Sequence, residues 1–149
     1  MKPLVFEHAI DVANKPAQVF AVVENFGLAP KWLDRCTGLD KAGKAPNAVG
    51  TKLRYTVKSG ASKVKMDAII TEYQPNELFT LRCVSPSREV VLRLSLKGTR
   101  HGTRIVHTLE TTPRSFLSKL LSPLAHGALR RRPRRTLRRL TALLESRDR

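Results

Sequence analysis

No run of about eighteen consecutive apolar residues occurs in the chain, which excludes a membrane-spanning helix. The opening Met1-Lys2-Pro3-Leu4 passes straight into alternating sequence, without the apolar stretch of a secretory signal. Cysteine is scarce. Cys36 and Cys83 lie far apart and fit neither a metal nor a redox spacing, so a reduced pair in a cytoplasmic protein is expected, with a disulfide as the alternative. There is no histidine-glutamate zinc motif, no phosphate-binding glycine loop and no nucleophile elbow. These absences argue against a hydrolase, a kinase or a dinucleotide enzyme, and no metal or cofactor is expected. Acidic residues are few as well, 12 against 28 lysines and arginines.

The excess of positive charge is unevenly placed. Residues 1–113 carry 17 basic and 10 acidic side chains, a net of +7, whereas residues 114–149 carry 11 and 2, a net of +9 in about a quarter of the length. Such asymmetry suggests a phosphate-bearing partner, either an anionic membrane or nucleic acid. The alternative is a solvated basic helix face. With 149 residues and 41% hydrophobic side chains, the chain has enough apolar content for one core. A single domain over 1–149 is therefore expected, with a basic helical segment at 114–149.

Residues 4–12 alternate as a strand, with Phe6, His8, Ile10 and Val12 on one face. Asn14 can cap a following helix, Pro16 suits its first turn, and Ala17 to Phe26 supply Val19, Phe20, Val22 and Val23 for burial. A second short helix is expected over Leu28 to Arg35. From Thr37 the period changes to two. Strand-like runs at 49–58, 63–73, 77–84, 88–97 and 103–111 are separated by Ser59-Gly60-Ala61-Ser62, Gln74-Pro75-Asn76, Ser85-Pro86-Ser87 and the segment Gly98 to Gly102. Each separator has turn chemistry, so the runs form an antiparallel meander with one wet, lysine-rich face. The tail is helical, with interruptions expected at Pro123 and Pro133 that leave a short helix near 114–121 and a longer one near 123–146. At about 100° per residue, Ala125, Leu129, Leu137, Leu140, Leu143 and Leu144 share one face of it and the arginines of 130–139 take the rest.

Particular residues carry a resemblance beyond this order of elements. Pro16 to Phe26 followed by Pro30-Lys31-Trp32-Leu33 resembles the opening of the polyketide cyclase/dehydrase group of the SRPBCC (START-like) superfamily. Val49-Gly50-Thr51, the turn Ile70 to Asn76, Gly102-Thr103-Arg104 and the ending Leu137 to Glu145 are similar to that group as well. The resemblance spans nearly the whole chain. It implies an α+β helix-grip fold: a curved antiparallel sheet of about seven strands, two short helices and a long C-terminal helix enclosing a hydrophobic cavity. It does not imply a shared catalytic set, and fold alone does not fix function.

On that fold the inward faces place Phe6, Leu53, Tyr55, Met66, Ala68, Ile70, Phe79, Leu92, Leu94, Ile105 and His107 around the cavity, with Trp32 at its entrance. Such a pocket takes a hydrophobic small molecule, a lipid, isoprenoid or polyketide-like compound, oriented by a few polar groups. The alternative is an enzyme, a cyclase or dehydratase with His8, His107 or Tyr55 as acid or base, since the first and last strands are neighbours in this topology. Two histidines without a third ligand do not make a metal site. A third possibility is a phosphate-directed surface built from Arg131, Arg134, Arg135 and Arg138. No aromatic residue is interleaved with these arginines, so nucleic-acid bases have no stacking platform and an anionic membrane is the better fit.

Overall fold

The computed structural model describes residues 3–147, and the side chains of all of these except 118 and 121–126. Seven strands form one antiparallel sheet: β1 (Leu4–Val12), β2 (Cys36–Lys41), β3 (Lys52–Ser59), β4 (Ser62–Gln74), β5 (Leu78–Val84), β6 (Arg88–Thr99) and β7 (Gly102–Pro113). Their order across the sheet is β1-β7-β6-β5-β4-β3-β2. From β2 to β7 every strand pairs with its successor, as expected of a meander, while β1 pairs with β7 along its whole length. The alternating residues behave as their chemistry dictates. In β6, Val90, Leu92, Leu94 and Leu96 are buried while Arg93, Ser95 and Lys97 are exposed. Turns fall on the expected residues, with Gly60 (φ 62°) and Asn76 (φ 67°) taking left-handed backbone.

Strand β2 has no period-two signature, because a bulge between Cys36 and Gly38 shifts its register against β3. The buried residues Cys36 and Leu39 are consequently three apart, and Gly38 and Asp40 are poor strand formers.

Between β1 and β2 the chain forms helix α1 (Pro16–Val23), a 3-10 turn (Phe26–Leu28) and the single-turn helix α2 (Ala29–Trp32). The N-cap of α1 is Lys15 and not Asn14. The Lys15 N–H donates to Gln18 Oε1 at 2.8 Å, while the Asn14 carbonyl accepts a 2.7 Å bond from Thr103 Oγ1 and so ties the loop to β7. Helix α1 buries Val19, Phe20, Val22 and Val23, and the rings of Phe20 and Phe26 meet Tyr73 and Phe79 at centroid distances of 5.5 and 5.8 Å.

The C-terminal segment is one helix, α3 (Phe116–Arg147), and the breaks expected at Pro123 and Pro133 do not occur. Proline inside a helix forfeits one backbone bond and costs about 3 kcal/mol. Here Pro133 is itself buried, and Leu129, Leu137, Leu140 and Leu144 are buried along the same helix, each worth about 1.5–3 kcal/mol. The packing outweighs the lost bond. Leu143 is partly buried, and the side chain of Ala125 lies outside the described residues. Helix α3 packs across β1 and β7 and against α2. Arg139 clamps the last contact by donating to the carbonyls of Pro30 (2.7 Å) and Leu33 (3.2 Å). No helix among the described residues is long and apolar enough to cross a membrane.

Candidate ligand cavity

The sheet is longer than the short helices can cover, and this leaves a cavity. At one end of the inward face, α1 and α2 fill the space against Leu53, Ala68, Ile70, Phe79, Leu94 and Ile105, all of them buried in the same core cluster. At the other end nothing plays that part, and a cavity of about 390 Å³ remains, within the ordinary range for small-molecule sites. Four strands, β3, β4, β6 and β7, contribute residues to its walls. Tyr55 and Val57 come from β3, Val64 and Met66 from β4, Val90 and Leu92 from β6, His107 and Leu109 from β7, and Leu129, Arg132 and Thr136 from α3. The exposed lining residues Arg35, Lys58 and Ser59 mark its mouth, with the half-buried Asp34, Ser87 and Arg88 and the buried Leu33 and Ser85 also in its lining.

Of the residues expected around the cavity, Tyr55, Met66, Leu92 and His107 line it. Trp32, Phe79 and Leu94 lie deeper and, with Leu92 and His107, surround a void of only about 10 Å³. Trp32 is thus an interior residue and not a cover, and its indole N–H has no hydrogen-bond partner among the described residues. Phe6, Leu53, Ala68, Ile70 and Ile105 are buried but line neither space.

His107 is fully buried, with Nδ1 3.0 Å from the Arg93 carbonyl. A carbonyl accepts only, so Nδ1 carries the proton and Nε2 is left as an acceptor. Burial pushes its pKa down to about 4, opposed by the bond to Arg93 and reinforced by the charge of Arg132. Burial likewise raises the pKa of the Tyr55 hydroxyl. Both groups are therefore neutral near pH 7. Arg132 sits with its Nε 3.8 Å from Asp34 Oδ2, and the Asp34 N–H donates to Thr136 Oγ1 at 3.0 Å.

His8 and His107 are direct partners in the β1–β7 register, yet they do not open on a common space. Helix α3 crosses that strand pair. His107 faces the cavity, whereas His8 is half-buried in a shallow surface groove with Ile10, Arg134, Arg138 and Thr141 on the far side of the helix. Arg131, Arg134, Arg135 and Arg138 are all exposed. Cys36 and Cys83 are free and buried, and burial raises their pKa values to about 11 and about 12, so both are unreactive thiols. Among the described residues no cluster of three or more His, Cys, Asp or Glu could hold a metal ion.

The cations at the mouth were legible but unread. Arg88 is in phase with Val90 and Leu92, and Arg132 stands one helical turn from both Leu129 and Thr136.

Solved structures share this architecture. TTHA0849 from Thermus thermophilus is 15% identical, with a TM-score of 0.76 over 96% of this chain and 98% of that one. Ara h 8.0201 is 14% identical, with a TM-score of 0.71 over 97% and 99% of the two chains. The di-domain ARO/CYC StfQ from the steffimycin biosynthetic pathway is 13% identical, with a TM-score of 0.71 over 99% of this chain and 52% of that one. Likenesses at such identity establish the fold alone. No curated protein matches the sequence. Residues 3–145, from the first strand to the last turns of α3, match the family described as polyketide cyclase/dehydrase and lipid transport, and the chain belongs to that family.

Proposed function

We propose that the protein binds a hydrophobic small molecule in the cavity between the sheet and α3. The observation that carries this reading is the space of about 390 Å³ whose apolar walls include Val57, Val64, Met66, Val90, Leu92 and Leu109. A few polar groups, the His107 Nε2 acceptor and the Tyr55 hydroxyl, would orient the occupant. Acid–base catalysis by the same two residues, the cyclase or dehydratase alternative, is less well served. A histidine with a pKa near 4 is a weak base at neutral pH and supplies no imidazolium acid, and His8 cannot assist it across α3.

The test is a thermal-shift screen with apolar aromatic and lipid-like compounds. A ligand that binds only the folded state raises the melting temperature by mass action. Val64→Phe, which places a ring in the cavity, is expected to shrink that rise. A broad screen with no shift in the wild type counts against the reading.

A second reading concerns the outer face of α3. Phe116, Leu117 and Leu120 are 77%, 65% and 59% exposed, and Arg134, Arg135 and Arg138 follow each of them by 18 residues, about five turns at ~3.6 residues per turn. Apolar and cationic side chains thus recur at the same angular positions on exposed parts of one helix, outside the face that buries Leu137, Leu140 and Leu144. Apolar anchors and arginines along one helix suit the surface of an anionic membrane, where each cation contributes about 1 kcal/mol.

A further inference from the structure

The cavity mouth holds more positive charge than its own carboxylate can balance. Among the described residues four cations line the space, Arg35, Lys58, Arg88 and Arg132, against the single acid Asp34. They come from separate parts of the fold: Arg35 from the residue before β2, Lys58 from the end of β3, Arg88 from the first residue of β6 and Arg132 from α3. Two are held side by side, since the Lys58 N–H donates to the Arg35 carbonyl at 2.8 Å. Arg35 itself adopts left-handed backbone, φ 62°, a conformation that costs a non-glycine residue about 1 kcal/mol or more.

The one acid offers little. Its Oδ2 lies 3.8 Å from Arg132 Nε, beyond hydrogen-bonding distance, and is buried without a hydrogen-bond partner among the described residues. The Arg132 and Asp34 side chains are only 18% and 11% exposed, so this loose pair sits where water screens it poorly. Arg88 is half-buried and feels the charge of Arg132. Among the described residues, Arg35, Lys58 and Arg88 form no ion pair, whereas Arg54, Arg82, Arg93 and Arg104 on the outer face of the sheet all do. Three cations without an ion pair thus line one cavity together with Arg132, beside the apolar side chains of Val57, Val64, Met66, Val90 and Leu92. Arg35 and Lys58 are exposed, but Arg88 is partly buried without a counter-charge, which is costly. An anionic ligand group reaching it would supply one, with Arg35, Lys58 and Arg132 close by.

We propose that the ligand is an amphipathic anion, with its apolar body among Tyr55, Met66, Val90 and Leu92 and a carboxylate or phosphate group at Arg35, Lys58, Arg88 and Arg132. This inference rests on the cavity-binding reading and adds the charge of the occupant to it.

Two dyes with the same aromatic body separate the two claims. 1-Anilinonaphthalene-8-sulfonate carries an anion, and N-phenyl-1-naphthylamine is its neutral counterpart. In fluorescence titrations at low salt, the anionic dye is expected to bind tighter by about tenfold or more, the scale of charge-assisted hydrogen bonds. Arg88→Gln and Lys58→Gln should each move that ratio toward one. Both sit at the rim, and neither leaves Asp34 without its arginine, so each is expected to fold. Melting temperatures near the wild-type value check this. Dodecanoate and dodecyl phosphate should displace the anionic dye, and dodecanol should not, with the stronger displacer identifying the preferred head group. Equal affinity for the two dyes, a ratio untouched by both variants, or equal displacement by dodecanol overturns the inference while the cavity reading stands. Failure of both dyes to bind overturns both.

Discussion

At the scale of single residues, His107 shows how burial sets chemistry. The ring is enclosed by the sheet and α3, and its one hydrogen bond is to a backbone carbonyl, which suits the neutral tautomer already. Its folded pKa, about 4, lies below the ordinary value of 6.5, so between those limits the unfolded chain binds more protons than the folded one. Stability is therefore undiminished above pH 6.5 and declines as the pH falls toward 4, by up to about 3 kcal/mol. His107→Asn keeps an N–H near the Nδ1 position and does not titrate. Denaturant unfolding at pH 7.5 and at 4.5 should show a steeper loss in the wild type than in this variant. Equal losses would mean that His107 reaches solvent in the folded state. The same neutrality bears on function, since a fixed Nε2 acceptor can hold a ligand hydroxyl without moving a proton.

At the scale of elements, α3 decides whether the cavity exists, because it roofs β1 and β7 and supplies Leu129, Arg132 and Thr136 to the walls. Leu140 and Leu144 anchor it, both essentially inaccessible to solvent. Truncating either to alanine is expected to cost about 2–5 kcal/mol in denaturant unfolding, the usual range for a buried leucine. A loss below about 0.5 kcal/mol at both sites would show that the helix does not close the core. The apolar arc of this helix was readable from its spacing. Its continuity was not, because a proline penalty is local whereas the compensating burial comes from the tertiary contacts of a whole helix face. The regular strands β3 to β7 were readable for a similar reason, their period of two being set by one wet and one buried face. Strand β2 escaped because its bulge breaks that period. The candidate site was legible by face but not by depth. Alternation placed Leu53, Tyr55, Ala68 and Met66 on one inward surface, but which half of each strand α1 and α2 would cover depends on where those helices settle.

At the scale of the whole molecule, charge and shape combine on the outer stripe of α3. The helix turns its leucines inward and leaves Phe116, Leu117 and Leu120 in line with Arg134, Arg135 and Arg138. A solvated face needs the arginines but gains nothing from the exposed phenylalanine and leucines. If the stripe docks on a membrane, vesicles containing anionic lipid should retain the protein at low salt, and neutral vesicles should not. Retention should weaken as salt rises, because the Debye length shrinks to about 8 Å near physiological ionic strength and exposed charges are screened. Arg131→Gln, Arg134→Gln, Arg135→Gln and Arg138→Gln together should abolish it, whereas Phe116→Ser with Leu120→Ser should weaken it at every salt concentration, since apolar insertion is not screened. Co-sedimentation with both vesicle types, repeated in the presence of duplex DNA, checks each point. Equal retention by the two vesicle types, or by neither, sinks the membrane reading. Preferential loss to DNA assigns the stripe to nucleic acid instead, with a log-log salt dependence whose slope counts the phosphates engaged.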